Sequence, residues 1–337
     1  MSTCERPLVV GGGSFGTALA QMLSWGDCPV TWWIREPELR ELVRTTRRNA
    51  WYQPDYELSA SLELTDDLPT AMRSADLVLV AVPSQFVRAW WTENATYLAP
   101  DAIVLSASKG IEENTCATMD EVMREVIGGD IDQRSAFVSG PTFAKEMLAE
   151  LPTAAVVAAR NLEVAEAVQE RISSPYFRAY TSNDVVGVEL GGAVKNIMAI
   201  AAGIIDGLNV GSNARAALIT RGLAEIRRLG VHLGAQPETF AGLAGVGDLV
   251  LTCTGSLSRN RGVGVRLGQG ETLDQILDSM LEVAEGVRTT HSVHDLSTRT
   301  GVEMPIVEQV YRVLYQKQSP KVAITELMTR RLKAETQ

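Results

Sequence analysis

The sequence predicts an α/β domain with a doubly wound parallel sheet over residues 1–184, followed by an all-helical domain over residues 185–337. Three observations carry this expectation. Short apolar runs alternate with helix-period stretches throughout the first half. A glycine-rich turn follows the first of those runs. Beyond about residue 184 the strand signal fades and a long apolar helix begins.

The elements follow in order. PLVVGGGSFGTALAQMLSWG opens with a short strand, passes through glycines and continues with helical periodicity. CPVTWWIRE reads as the second strand. ADLVLVAVP and AIVLSASKG are continuous apolar runs, the pattern of strands covered on both faces of a parallel sheet. ATMDEVMREVIGG reads as a helix, and SAFVSG, TAAVVAA and FRAYTS as three more strands. Strands alternating with helices imply βαβ units with right-handed crossovers. In the second half, NARAALITRGLAEIRRLG sets Leu218, Ile219, Gly222, Leu223, Ile226 and Leu229 on one face, with Gly230 as the expected C-cap.

Composition narrows the function classes. The 337 residues are 45% hydrophobic and 21% charged, with a net charge of −10 and no long basic run. A general nucleic-acid binder needs a basic face, and none is expected here. Cys4, Cys28, Cys116 and Cys253 form no CxxC pair, and three histidines are the other soft ligands. A disulfide framework or zinc site is therefore not expected. The first strand begins so early that no signal peptide is expected ahead of it, which points to the cytoplasm.

Residues 185–205 are long enough to cross a membrane. Glu189 and Lys195 lie near the middle of that stretch, and each would cost about 2.5–3.5 kcal/mol in lipid. Gly187, Gly191, Gly192 and Gly203 favour close packing against protein instead. A buried helix is expected, with no membrane span.

Gly11-Gly12-Gly13-Ser14-Phe15-Gly16 satisfies G-x-G-x-x-G between a strand and a helix, the fingerprint of a dinucleotide site. Gly11 makes the tight turn, Gly13 admits the pyrophosphate and Gly16 lets helix and strand pack closely. The second strand ends Ile34-Arg35-Glu36. Arg35 suits a 2′-phosphate or stacks on adenine, and Glu36 suits a free ribose hydroxyl, so NADP(H) is favoured and NAD(H) stays open. Taken alone, Arg35 also reads as a solvated charge.

GGGSFGTALA, ASKGIE, SGPTFAKE, ELGGAVKNIMAIAAGI, NARAALITRGLAEI, GLAGVGDLVLTCTGSLSRNRGVG and AEGVRT occur in this order. Together they resemble the bacterial NAD(P)-dependent glycerol-3-phosphate dehydrogenases, over about residues 8 to 320. The resemblance implies a Rossmann-type domain, a helical domain and an active site between them. It also implies interconversion of dihydroxyacetone phosphate and sn-glycerol 3-phosphate, in the service of glycerophospholipid synthesis, by a homodimer.

By the same resemblance, Lys195 is the proton donor and acceptor. Lys109, Gly140, Thr142, Lys195, Asp248, Ser258, Arg259 and Asn260 contact substrate. Gly11, Gly13, Ser14, Phe15, Gly16, Arg35, Lys109, Ala144, Arg259, Val283 and Glu285 contact the cofactor. Physics agrees with Lys195: an ammonium on an apolar helix loses solvation and its pKa falls. The residues alone leave other readings open: a snorkelling Lys195, a solvated Lys109 or SRNR loop, a strand-ending turn at Gly140, Asp248 as a helix cap and Glu285 as an exposed acid. A related β-hydroxyacid dehydrogenase, or an inactive NADP-binding sensor, are the competing functions. The chemistry needs a hydride donor and a proton donor and no metal.

Overall fold

The computed structural model describes residues 6–26, 29–280, 284–332 and 334–335. Cys4, Cys28 and Val283 lie outside the described residues. Eight strands form one sheet: β1 (Pro7–Val10), β2 (Val30–Trp33), β3 (Leu62–Leu64), β4 (Leu77–Val80), β5 (Ile103–Ser106), β6 (Ser135–Ser139), β7 (Thr153–Ala158) and β8 (Phe177–Ser182). Their spatial order is β3-β2-β1-β4-β5-β6-β7-β8. Every pairing is parallel except β6 with β7, which is antiparallel.

The apolar runs do what their composition demands. β1 and β4 are buried at every position. Val9, Leu77 and Leu79 join the core on one face, and Leu8, Val10, Val78 and Val80 join the core on the other. Two differences from expectation appear. β3 was not foreseen, because three residues at a sheet edge carry no continuous apolar run. The antiparallel β7 departs from an all-parallel sheet, since strand direction leaves no mark on composition.

After β8 every described element is helical. The central helix, Val185–Gly207, starts on an Asp184 cap whose carboxylate accepts the Gly187 N–H at 2.9 Å. Its other carboxylate oxygen accepts the Gln236 N–H at 2.9 Å and the Thr239 hydroxyl at 2.5 Å. The helix is long and apolar enough to span a membrane, yet nearly all of it is buried in protein. Its glycines explain how. A methyl group at Gly191 would collide with the Ala244 carbonyl, and one at Gly203 with the Arg261 carbonyl. From the facing helix, Arg259–Gly268, Gly264 lies equally close to the Ile200 carbonyl.

The helix Ser212–His232 buries Leu218, Gly222, Ile226 and Leu229 as its periodicity requires. Gly230, however, is not the cap. It lies inside the helix, where its bare α-carbon admits the Phe240 ring. The positive-φ position is Gly234, at +94°.

Candidate active site

β1 and β4 are neighbours in the sheet while their flanking connections run in opposite directions, so a crevice opens at their carboxyl ends. The glycine turn sits there. Gly11 adopts φ +121° and a side chain on it would meet the Ala81 carbonyl oxygen at 2.6 Å. Gly16 packs against the Gly11 carbonyl. Gly13 faces open space. The following helix, Ser14–Leu23, has no side-chain cap at Gly13, so its first-turn N–H groups are directed to whatever enters the crevice. These features fit a pyrophosphate. Asn49, which sequence reasoning did not single out, is fully buried and pins the turn: its amide donates to the Gly12 carbonyl at 2.8 Å and to the Thr17 hydroxyl at 2.7 Å.

The crevice widens into a cleft of about 520 Å³ between the sheet and the helical half. Lys195 reaches it from the central helix. Only 8% of its side chain is exposed, and it forms a short ion pair with Asp248 Oδ1. Burial lowers the Lys195 ammonium to about 8, and the Asp248 carboxylate opposes that shift. Asp248 is itself 1% exposed. Its Oδ2 accepts from Lys109 Nζ at 3.1 Å, and its Oδ1 from the Thr252 hydroxyl at 3.2 Å. Asp248 is the first residue of a helix, Asp248–Thr254, entered through a π-helical turn at Leu243–Gly247. It is therefore a helix-start residue directed at two lysines, not an N-cap. Thr252 is a second site residue that reasoning from sequence missed, although its i+4 spacing from Asp248 was available.

Lys109 follows β5. Besides Asp248 it donates to the Gly140 carbonyl at 3.2 Å, approaches Thr142 Oγ1 at 3.5 Å and stands over the Phe15 ring at 5.6 Å. It thus bridges the glycine turn, the SGPT turn and the central helix. Across the cleft, Ser258 caps the helix Arg259–Gly268 by accepting the Arg261 N–H at 3.3 Å. Asn260 accepts the Gly286 N–H on its carbonyl oxygen at 2.9 Å and lines the cleft. Ser258, Arg259 and Asn260 all line the cleft, at a helix N-terminus suited to a phosphate. Glu285 lines it too. Burial raises its carboxyl above the ordinary value, and Arg259 restrains that rise.

The structure therefore brings together Gly13, Ser14, Phe15, Gly16, Lys109, Thr142, Ala144, Lys195, Ser258, Arg259, Asn260 and Glu285 as walls of one cleft. Gly11, Gly140 and Asp248 stand directly behind that wall. Arg35 is apart. Its side chain is 74% exposed beyond β2 and pairs with Glu36 at 2.7 Å. Lys145 and Asp55, both on the cleft wall, pair across 3.2 Å, a link invisible in the sequence.

The family whose model is described as NAD-dependent glycerol-3-phosphate dehydrogenase matches the chain twice, its N-terminal part over residues 8–165 and its C-terminal part over residues 184–325. The NAD(P)+ glycerol-3-phosphate dehydrogenase of Citrifermentans bemidjiense is 55% identical over 331 residues, covering 98% of this chain and 99% of that protein. That of Geobacter sulfurreducens is 52% identical over the same length, with the same coverage. The crystal structure of glycerol-3-phosphate dehydrogenase from Coxiella burnetii superposes with a TM-score of 0.92 at 37% identity, covering 97% of this chain and 99% of that one. With both halves matched and the cleft assembled between them, the chain belongs to the NAD(P)-dependent glycerol-3-phosphate dehydrogenase family, oxidoreductases that interconvert dihydroxyacetone phosphate and sn-glycerol 3-phosphate.

Proposed function

We propose that Lys195 is the proton donor for ketone reduction, that Ser258, Arg259 and Asn260 hold the substrate phosphate, and that NADP(H) is favoured over NAD(H). The observation that carries this reading is the buried Lys195–Asp248–Lys109 chain at the cleft wall. When bound, the nicotinamide supplies a hydride to the ketone carbon. Lys195 gives its ammonium proton to the oxygen that gains charge as the carbonyl is reduced. In the reverse direction its neutral amine takes that proton from the alcohol. Asp248 fixes the lysine's orientation and keeps a counter-charge within reach in both states. Lys109 adds a second cation, which draws phosphorylated and electron-rich groups into an otherwise acidic protein.

Gly140 and Thr142 orient Lys109, and the first turn of the helix Ser14–Leu23 receives the pyrophosphate beside Phe15 and Ala144. Residues 1–184 act as the dinucleotide-binding domain and residues 185–337 as the substrate domain. Arg35 supports the NADP(H) preference: it stands exposed at the carboxyl end of β2, where a 2′-phosphate can replace Glu36 as its partner. The reading extends to a cytoplasmic homodimer that takes small molecules rather than nucleic acid and supplies glycerol 3-phosphate for phospholipid synthesis. Family membership and the net charge of −10 support that extension.

Initial rates with dihydroxyacetone phosphate and each reduced cofactor test it. Higher kcat/KM with NADPH is expected, and equal or higher kcat/KM with NADH overturns the preference. Unphosphorylated dihydroxyacetone should be a poor substrate; parity between the two ketones removes the phosphate grip.

A further inference from the structure

A second, much smaller hollow shares Ser108 and Lys109 with the cleft wall. Its volume is about 10 Å³, room for one water-sized sphere. From the sheet it is lined by Ser106 and Ser139, and from the central helix by Glu189 and Gly192. Glu189 and Gly192 lie on successive turns of the helix that carries Lys195 one turn further on. A side chain at Gly192 would meet Ser139 Oγ at 2.5 Å and Lys109 Cδ at 3.7 Å, so the missing side chain keeps this space open.

Three polar atoms around the hollow have no partner. Ser106 Oγ, Ser139 Oγ and Glu189 Oε2 are buried and make no hydrogen bond. Buried polar groups ordinarily find partners in protein or in ordered water, and three unpaired ones around a space of this size match the needs of a single water. The other Glu189 oxygen accepts the Asp120 N–H at 3.1 Å. Burial raises the Glu189 carboxyl to about 8, and the charge of Asp120 adds to the rise, which favours its protonated form. The charged groups that face it are Asp120 and Glu121 on the helix Met119–Val126, Arg160 after β7, and Lys109 on the wall of the hollow. Asp120 is held by Arg160 at 2.6 Å and by Arg124 at 3.1 Å, two half-exposed side chains that give this end of the cluster contact with solvent.

We propose that the hollow binds one ordered water and that Glu189, through it, is the proton reservoir that recharges Lys195 by way of Lys109. The proposal rests on Lys195 being the proton donor. Each transfer balances. Once Lys195 has protonated the substrate oxygen, an N–H bond of the neighbouring Lys109 ammonium breaks as an N–H bond forms on the Lys195 amine, with the Asp248 carboxylate holding the two nitrogens together. Lys109 then takes a proton from the water, and the water takes one from the Glu189 carboxyl. The net change is one carboxyl ionised and one ammonium restored. No electrons move and no co-reactant enters. Bulk solvent then returns a proton to Glu189 on the Asp120 side, while the cleft is still filled on the other.

This makes a distinctive kinetic demand. The first turnover uses the proton already on Lys195, and only later turnovers need the reservoir. Glu189→Gln keeps the side-chain size and the acceptor for Asp120 N–H but has no acidic proton to give. In stopped-flow reduction of dihydroxyacetone phosphate, its first turnover should stay within twofold of the parent rate. Its steady-state rate should fall by about a hundredfold or more, so that a burst appears, the order expected when a proton-transfer group is lost. Ser139→Ala should show the same split, and it carries the test if Glu189→Gln does not fold. A parallel fall in first and later turnovers, or no change in either, overturns the reservoir. Lys195→Met, run alongside, separates the two ideas: loss of its first turnover upholds the proton donor, and a normal first turnover sinks the donor itself.

Discussion

Lys195 and Asp248, 53 residues apart in the chain, meet as an ion pair with almost no exposed surface. Each charge offsets the cost of burying the other. Removing one partner of a buried pair leaves an uncompensated charge and costs about 3–5 kcal/mol. Asp248 is shared with Lys109, so the site carries two cations on one carboxylate. That surplus positive charge is what an anionic substrate completes.

Lys195→Met should abolish turnover and spare cofactor binding. The substitution keeps bulk at the cleft wall and removes the proton. Loss of general acid catalysis costs about 10²–10⁴-fold, more when the same group stabilises the alkoxide. Steady-state kcat together with a fluorescence titration of NADPH checks it; a variant retaining more than about a tenth of kcat is incompatible with the role.

The pH dependence should differ in sign between the two directions. Reduction needs the ammonium and oxidation needs the amine. With burial holding Lys195 at about 8, kcat/KM for ketone reduction should fall as pH rises through that value. Oxidation of glycerol 3-phosphate should rise through the same value and level off above it. Rate profiles from pH 6 to 10 decide the matter, and profiles of the same sign in both directions assign the proton to another group.

Arg259→Ala should damage recognition of the phosphate. Each charge-assisted bond contributes about 1.5–3 kcal/mol, so kcat/KM for dihydroxyacetone phosphate should drop by about ten- to a hundredfold. The preference for the phosphorylated over the unphosphorylated ketone should shrink with it. An unchanged preference places the phosphate elsewhere. Because Arg259 also interacts with Glu285 on the cleft wall, NADPH affinity is to be titrated separately.

Arg35→Asp should move the cofactor preference toward NADH. It removes the guanidinium beyond β2 and supplies an acceptor for a ribose hydroxyl. The ratio of kcat/KM for the two cofactors is the readout. If it does not move, Arg35 serves only its pair with Glu36.

Much of this was legible in the sequence because the chemistry is written in short local runs. Buried strands such as β4 announce themselves by continuous apolar composition, whereas Asp248, Ser258, Arg259 and Asn260 stand out only through the resemblance of GVGDLVLTCT and SRNR to the family, since read alone they fit a helix cap and a solvated loop. What escaped was tertiary. The three residues of β3 lack the length to signal a strand. The reversal of β7 is a matter of chain path. Asn49 lies in a polar loop with nothing to single it out, and its role arises only because the fold brings it under Gly12. Gly230 was misread because a glycine near a helix end signals a cap, whereas the Phe240 ring claims the space instead.

The contact of Gly203 with Arg261, and of Gly264 with Ile200, is backbone against backbone, with no side chain between the two helices to flex. One of those helices carries Lys195. The other begins at Ser258 and Arg259. The gap between Lys195 and the Ser258–Arg259 helix start is therefore gauged by main-chain geometry, like the fixed jaws of a calliper. With Lys195 as the proposed proton donor and Arg259 as the proposed phosphate anchor, a three-carbon phosphate would be measured for length by that gap as well as for charge by the groups at its ends. A methyl group at Gly264 would force the jaws apart, and its first effect should be on which chain length is accepted.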